Sequence, residues 1–175
     1  RKRDPASQGY SAPFLYFKGF HALQAYRVAH HLWIAGRRTL AIHLQSRISS
    51  VFDVDIHPAA RIGKGLLIDH GTGVVIGETT VIGEKVKIYH GVTLGAKSVK
   101  KAEGDRKRHP TIEDEVTIYP GATILGGETT IGKGSIIGGN VWLVSSVPPY
   151  SMVYYKPEIS VRNKQGAFHS LDYQI

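Results

Sequence analysis

The sequence predicts an α+β chain in three parts. A helical segment spans residues 1–52, a parallel β-helix of hexapeptide repeats spans 53–150, and an irregular tail spans 151–175. The β-helix follows from an aliphatic residue at every sixth position: Ile56, Ile62 and Ile68, then Ile76, Ile82, Ile88 and Leu94, then Ile112, Ile118 and Ile124, and lastly Leu125, Ile131, Ile137 and Leu143. A period of six matches neither the 3.6-residue helix nor the two-residue strand, but it does match a solenoid whose coil has three sides. Glycine often follows the anchor, as in Ile62-Gly63, Ile76-Gly77, Ile82-Gly83, Leu94-Gly95, Ile131-Gly132 and Ile137-Gly138, where corners must be tight. Before residue 53 the apolar residues recur at helical spacing instead.

The helical segment opens near Ser11 and Pro13, a helix-start pattern, and continues through Phe20, Leu23, Tyr26, Leu32 and Trp33. Gly36 ends that helix, and Leu40, Leu44 and Ile48 mark a second at four-residue steps. Both are expected to cap one end of the solenoid, because a terminal coil needs cover. His21, His30, His31 and His43 read as boundary positions on these helices. Along the ladder, coils of about 18 residues stack at the usual strand spacing of about 4.8 Å, giving about five coils. The count is broken at Asp69–Val75 and at Ala96–Thr111. The second break is strongly polar, with Lys97, Lys100, Lys101, Arg106, Lys107 and Arg108 before His109-Pro110. Loops that leave a rigid scaffold are where sites concentrate.

Composition bounds the partners. The net charge of +8 favours anionic ligands, and a small phosphate-bearing molecule fits the clustered charge better than nucleic acid, for which no aromatic-basic stacking motif exists. No apolar run approaches the roughly 18 residues of a membrane span, and no signal-peptide pattern opens the chain. Zero cysteines exclude disulfide and thiolate chemistry and suit a reducing cytoplasm. The chain begins with Arg1, so it reads as part of a longer polypeptide.

The chemistry is expected at the two breaks. Asp55 and His70 are 15 positions apart, a little less than one coil, which predicts adjacent coils near one edge. A carboxylate that fixes one imidazole nitrogen leaves the other as a general base near neutral pH. Plain structural hydrogen bonding is the competing account of the pair; its coincidence with the glycine-rich break Asp69-His70-Gly71-Thr72-Gly73 favours catalysis. At the second break Arg108 offers a planar fork for a carboxylate, and its basic neighbours form either a solvated loop or a clamp on phosphate. His70, His90 and His109 are the one set on the ladder that could ligate a metal, yet no short histidine spacing or cysteine supports it, so none is expected. His57, beside Pro58, reads as structural.

Two stretches resemble serine O-acetyltransferases of the hexapeptide-repeat acyltransferase superfamily. One runs from Asp55-Ile56-His57-Pro58-Ala59-Ala60 through Asp69-His70-Gly71-Thr72-Gly73 to Gly77-Glu78-Thr79. The other comprises Asp4-Pro5, Tyr10-Ser11-Ala12-Pro13 and Lys18 to Arg27, so the likeness covers residues 3–150. It implies a left-handed β-helix, an exception to the usual right-handed crossover. It also implies a homotrimer with sites between subunits, or a hexamer paired through an N-terminal helical domain. The implied reaction moves acetyl from acetyl-CoA to the L-serine hydroxyl as the first step of cysteine biosynthesis, with cysteine as feedback inhibitor. The implied roles are His70 as base, Asp55 orienting it, and His109 and Arg108 holding the amino acid, with Asp4 and Asp69 at its ammonium. Gly95, Ala96, Gly121 and Gly139 are implied along coenzyme A, with backbone N–H groups near Gly95 facing the oxyanion. Ile175 is implied as the terminal residue that enters cysteine synthase. Three departures stand out: the loop 96–109 is longer and more basic, Arg106-Lys107-Arg108-His109 replaces an Asp-Arg-His-Pro run, and Tyr154-Tyr155-Lys156-Pro157-Glu158 replaces a Gly-x-Pro-Ala turn. The rival readings are acetyl transfer to a sugar or amine acceptor, a metal-dependent hydratase on the same solenoid, and a non-catalytic scaffold for cysteine synthase.

Overall fold

The computed structural model describes residues 11–97 and 106–156. Three helices lead in: α1 (Ser11–Tyr16), α2 (Lys18–Ile34) and α3 (Arg38–Phe52). The sequence predicts one helix from Ser11 to Trp33, but the chain breaks at Phe17, whose backbone is extended (φ −86°, ψ 107°). The break seats the start of α2 against the solenoid, where a β-carbon on Gly19 would collide with the Ile68 carbonyl. Tyr26 donates its hydroxyl to the Ala60 carbonyl, and the His30 ring bonds the Pro58 carbonyl at 2.7 Å. Ala22, Leu23, Tyr26 and Ile48 join the solenoid core, so the two longer helices cap its first coil.

Five coils follow. The first holds β1 (Val54–Ile56), β2 (Arg61–Ile62) and β3 (Leu67–Asp69); the second holds β4 (Val74–Ile76), β5 (Val81–Ile82) and β6 (Lys87–Tyr89). The third holds β7 (Thr93–Gly95), β8 (Thr111–Ile112) and β9 (Thr117–Ile118), and the fourth β10 (Thr123–Leu125), β11 (Thr130–Ile131) and β12 (Ile136–Ile137). The last has β13 (Trp142–Leu143), a bridge from Val147 to Ile131, and β14 (Met152–Val153). All pairings are parallel and build three faces, β1-β4-β7-β10-β13, β2-β5-β8-β11 and β3-β6-β9-β12-β14. The fold is a left-handed parallel β-helix behind a helical lead. Its axis is a stack of aliphatics: Ile56, Ile76, Leu94 and Ile124 from the first face, Ile82, Ile112 and Ile131 from the second, and Ile68, Ile88, Ile118 and Ile137 from the third, all buried.

Register shows where the ladder loses count. Val54 pairs with Val74, twenty positions on, and Val75 with Thr93, eighteen on. Thr93 then pairs with Thr123, thirty on. The two extra residues of the first step lie in the corner Asp69–Val74, because Asp69 still pairs with Tyr89. The twelve extra residues of the later step lie between Gly95 and Thr111, since Ile76 pairs with Leu94 and Ile82 with Ile112. A single further residue enters between Leu125 and Thr130, since Thr111 pairs with Thr130, nineteen on. The two larger insertions flank the first face, one where the chain enters it and one where it leaves.

Candidate active site

At the entering edge each coil turns through a left-handed residue: Gly73, Gly91, Gly121 and Asn140. The two-residue insertion adds two more left-handed residues at the first corner, His70 (φ 59°) and Gly71 (φ 90°). For a residue with a β-carbon this conformation costs about 1–2 kcal/mol, and it throws the imidazole outward, leaving the side chain 75% exposed. His70 Nε2 lies 3.9 Å from Asp69 Oδ1, and its ring meets the His90 ring edge-on at 5.8 Å between centres. The Asp69 carboxylate also pairs with Lys87 at 3.3 Å. Burial pulls the Lys87 ammonium down, but hydrogen bonds to Tyr89 and Asp69 outweigh it and hold Lys87 above the ordinary lysine range. Tyr89 stacks on Tyr119 one coil further up, with ring centres 5.1 Å apart. Across the cleft, Lys18 of α2 donates to the Thr72 hydroxyl. The enclosed space is about 450 Å³, bounded by Tyr16 to Gly19, Asp69, His70, Thr72, Lys87 and Tyr89.

At the leaving edge the long loop returns with Arg108 and His109. Thr79 organises the return: its hydroxyl oxygen accepts the N–H groups of Arg108 (2.9 Å) and His109 (3.0 Å). The Thr79 N–H lies 3.1 Å from His109 Nδ1, and its hydroxyl lies 2.9 Å from the same atom. That nitrogen is therefore an acceptor, and the neutral ring carries its proton on Nε2. His109 is only 8% exposed and its ring fills the space a β-carbon on Gly77 would take. Burial first, then the Arg108 charge, lowers the His109 pKa to about 4. Arg108 pairs with Glu78, and Lys107 bonds the Thr79 and His109 carbonyls at 3.1 and 2.6 Å. His57 sits one coil below, its ring edge-on to Trp33 at 5.1 Å; burial first lowers its pKa too.

A buried neutral histidine predicts an acid-sensitive fold. In the unfolded chain His109 takes up its proton near pH 6.5, but in the folded chain only near 4. Between those values the unfolded state binds more protons, so this contribution is complete above about pH 6.5 and is lost as pH falls toward 4. Melting temperatures from about pH 7 down to about pH 4.5 should fall, and His109→Asn should flatten that slope. An unchanged slope in the variant would contradict the assignment.

The structure sorts the sequence-derived residues unevenly. Asp69 and His70 stand together at the entering edge, whereas Arg108 and His109 stand at the other, so one chain does not join the two sets. Asp55 and His70 were expected on adjacent coils near one edge. Asp55 lies in mid-strand on the first face, where Gln45 of α3 donates to its Oδ1 at 2.7 Å, and among the described residues no hydrogen bond joins it to His70. The capping helix α3 packs over β1 and takes up that carboxylate. Gly95 and Ala96 leave the first face where the long loop begins, while Gly121 and Gly139 turn the corners above His70. Asp4 and Ile175 lie outside the described residues, as do Lys100 and Lys101. His70, His90 and His109 divide between two edges, and no group of three metal-ligating side chains converges among the described residues. Sequence reasoning gave no individual role to Thr79, Gly77, Gln45 or Lys87; Gly77 and Thr79 carry a signal only as part of the Gly77-Glu78-Thr79 stretch.

A three-faced left-handed solenoid with a hexapeptide period is the architecture of hexapeptide-repeat transferases. Residues 1–25 match the family profile "Serine acetyltransferase, N-terminal". A serine acetyltransferase of Arabidopsis thaliana is 55% identical over 157 residues, which are 90% of this chain and 43% of the relative. The crystal structure of Neisseria gonorrhoeae serine acetyltransferase in complex with serine superposes with a TM-score of 0.82 at 52% identity, covering 89% of this chain and 62% of that one. An Entamoeba histolytica serine acetyltransferase in complex with cysteine gives 0.86 at 39% identity, covering 93% and 56%. Over most of its length the chain is therefore similar to proteins named serine acetyltransferase. It spans about half the length of the curated relatives it matches. No described helix is long and apolar enough to cross a membrane.

Proposed function

We propose that the chain transfers acetyl from acetyl-CoA to the hydroxyl of L-serine, giving O-acetylserine for cysteine biosynthesis. The observation that carries this reading is the cleft around Asp69 and His70, in a chain 52% identical to a protein whose structure holds serine. A serine hydroxyl is a weak nucleophile near neutral pH, so a positioned base must take its proton during attack on the thioester. His70 is exposed on a rigid corner and fits that role; the same imidazole then returns the proton to the departing thiolate. The oxyanion formed in between needs fixed donors, for which backbone N–H groups near Gly95 are the candidates. Asp69 attracts the substrate ammonium, with Asp4 as its second partner. Arg108, beside His109, presents the planar guanidinium that suits the substrate carboxylate. Asp55 is assigned to orient His70; Gln45 occupies only its Oδ1, and a carboxylate has further acceptor sites.

Because the two histidines occupy opposite edges of one face, the complete site is assigned to a homotrimer in which the His70 edge of each prism meets the His109 edge of the next. A hexamer through further helices remains the larger assembly to expect. Cysteine as feedback inhibitor is supported by the relative whose structure holds it. Pairing with cysteine synthase through Ile175 and a cytoplasmic setting complete the reading. Thiol release from acetyl-CoA should require L-serine, should not proceed with sugars or simple amines, and should fall on adding cysteine. Equal turnover with a sugar acceptor, or activity that depends on added zinc, would reject it in favour of another acyl acceptor or a metal-dependent reaction.

A further inference from the structure

A second cleft, of about 400 Å³, lies beside the leaving edge and shares no lining residue with the same chain's His70 cleft. It is bounded by Trp33, Arg38 and Arg61, and by Glu78, Thr79 and Lys107. Three cations converge here from three separate parts of the fold: the start of α3, strand β2 and the end of the long loop. Among the described residues, no carboxylate lies within ion-pair distance of Arg38, Arg61 or Lys107; the Glu78 carboxylate pairs with Arg108. Arg38 rests over the Trp33 ring at 5.0 Å, leaving its planar fork without an anion. Lys107 uses two of its three donors on backbone carbonyls, which fixes the ammonium and leaves one N–H to spare. Burial, and then the Arg61 charge, keeps Lys107 below the ordinary lysine range.

We propose that this cleft binds a phosphate group. A tetrahedral dianion accepts from two guanidinium forks and one ammonium at once, and such charge-assisted bonds are about twice as strong as neutral ones. Binding would end the repulsion between Arg61 and Lys107 and brace the loop where it meets Thr79 and His109. The site does not depend on the transfer reaction assigned to the His70 cleft, and its test needs no turnover.

The chain has two tryptophans, so a Trp142→Phe background makes Trp33 the reporter. Titration with inorganic phosphate, against potassium chloride at equal ionic strength, should change Trp33 emission saturably and raise the melting temperature. Arg61→Gln should weaken that response roughly tenfold, whereas Lys64→Gln, an exposed cation outside the cleft, should leave it intact. Glycerol phosphate in a parallel titration separates the sources: tighter binding than inorganic phosphate points to a phosphomonoester, weaker binding to the free anion. A response equal in chloride, no response at all, or one unchanged by Arg61→Gln would overturn the proposal.

Discussion

Replacing His70 by asparagine should lower acetyl transfer by about 10²–10⁴-fold while leaving the fold intact, because a positioned general base contributes on that scale. The choice of asparagine matters. His70 holds a left-handed backbone (φ 59°), a conformation that asparagine accepts better than most residues. His70→Ala removes the same imidazole but leaves a residue with no local hydrogen bond to favour that turn. Structural dependence on the ring is slight: its side chain is 75% exposed, with Asp69 3.9 Å away and the His90 ring edge-on. Melting temperature should therefore stay near the parent's in His70→Asn, and KM for serine should move less than kcat. Turnover within tenfold of the parent in both variants would remove His70 as the base. Loss of activity together with loss of cooperative melting would mean that the corner, rather than the imidazole, had been tested.

Much of this arrangement was open to sequence reading because the hexapeptide period is a direct imprint of the coil. Most anchors from Ile56 to Ile137 that the period marks lie on the axis; Ile62 is only half-buried, and Leu125, next to the inward-facing Ile124, points away from it. Five coils appear where five are expected. The interruptions are equally legible as interruptions, since two or twelve extra residues shift every later anchor. Their meaning is not legible. Whether an insertion falls where the chain enters a face or where it leaves depends on register between coils, and that separates His70 from His109. Long-range capture by the helices is also invisible: Gln45 reaches Asp55 across ten positions only because α3 folds back over β1. The break at Phe17 escapes for a related reason, being imposed by the approach of Gly19 to Ile68 rather than by any helix stop signal. Thr79 stands in the sequence only as the end of the Gly77-Glu78-Thr79 stretch, and its organising part becomes visible when the twelve-residue insertion lands on it.

The same landing makes Gly77→Ala the second large effect. Glycine at 77 needs no unusual backbone, so alanine is barred there by space alone. Its β-carbon would fall on Cδ2 and Nε2 of His109 and lie 2.8 Å from Cγ. The ring cannot retreat freely, because Nδ1 is held by Thr79 and the N–H groups of Arg108 and His109 both donate to the Thr79 hydroxyl. Overpacking of this kind costs about 1–3 kcal/mol, and an ångström-scale displacement of a substrate-holding group can cost about 10²-fold in rate. Gly77→Ala is therefore expected to lower both the melting temperature and kcat/KM for serine, with Arg108 carried along through its link to Glu78. A double-variant cycle isolates the cause. In a His109→Ala background the obstructing ring is gone, so adding Gly77→Ala should cost little further stability, although activity stays low. Strict additivity of the two stability losses would mean that the methyl group collides with something other than His109. It would then be the backbone of the second coil, not the imidazole, that requires glycine at this corner.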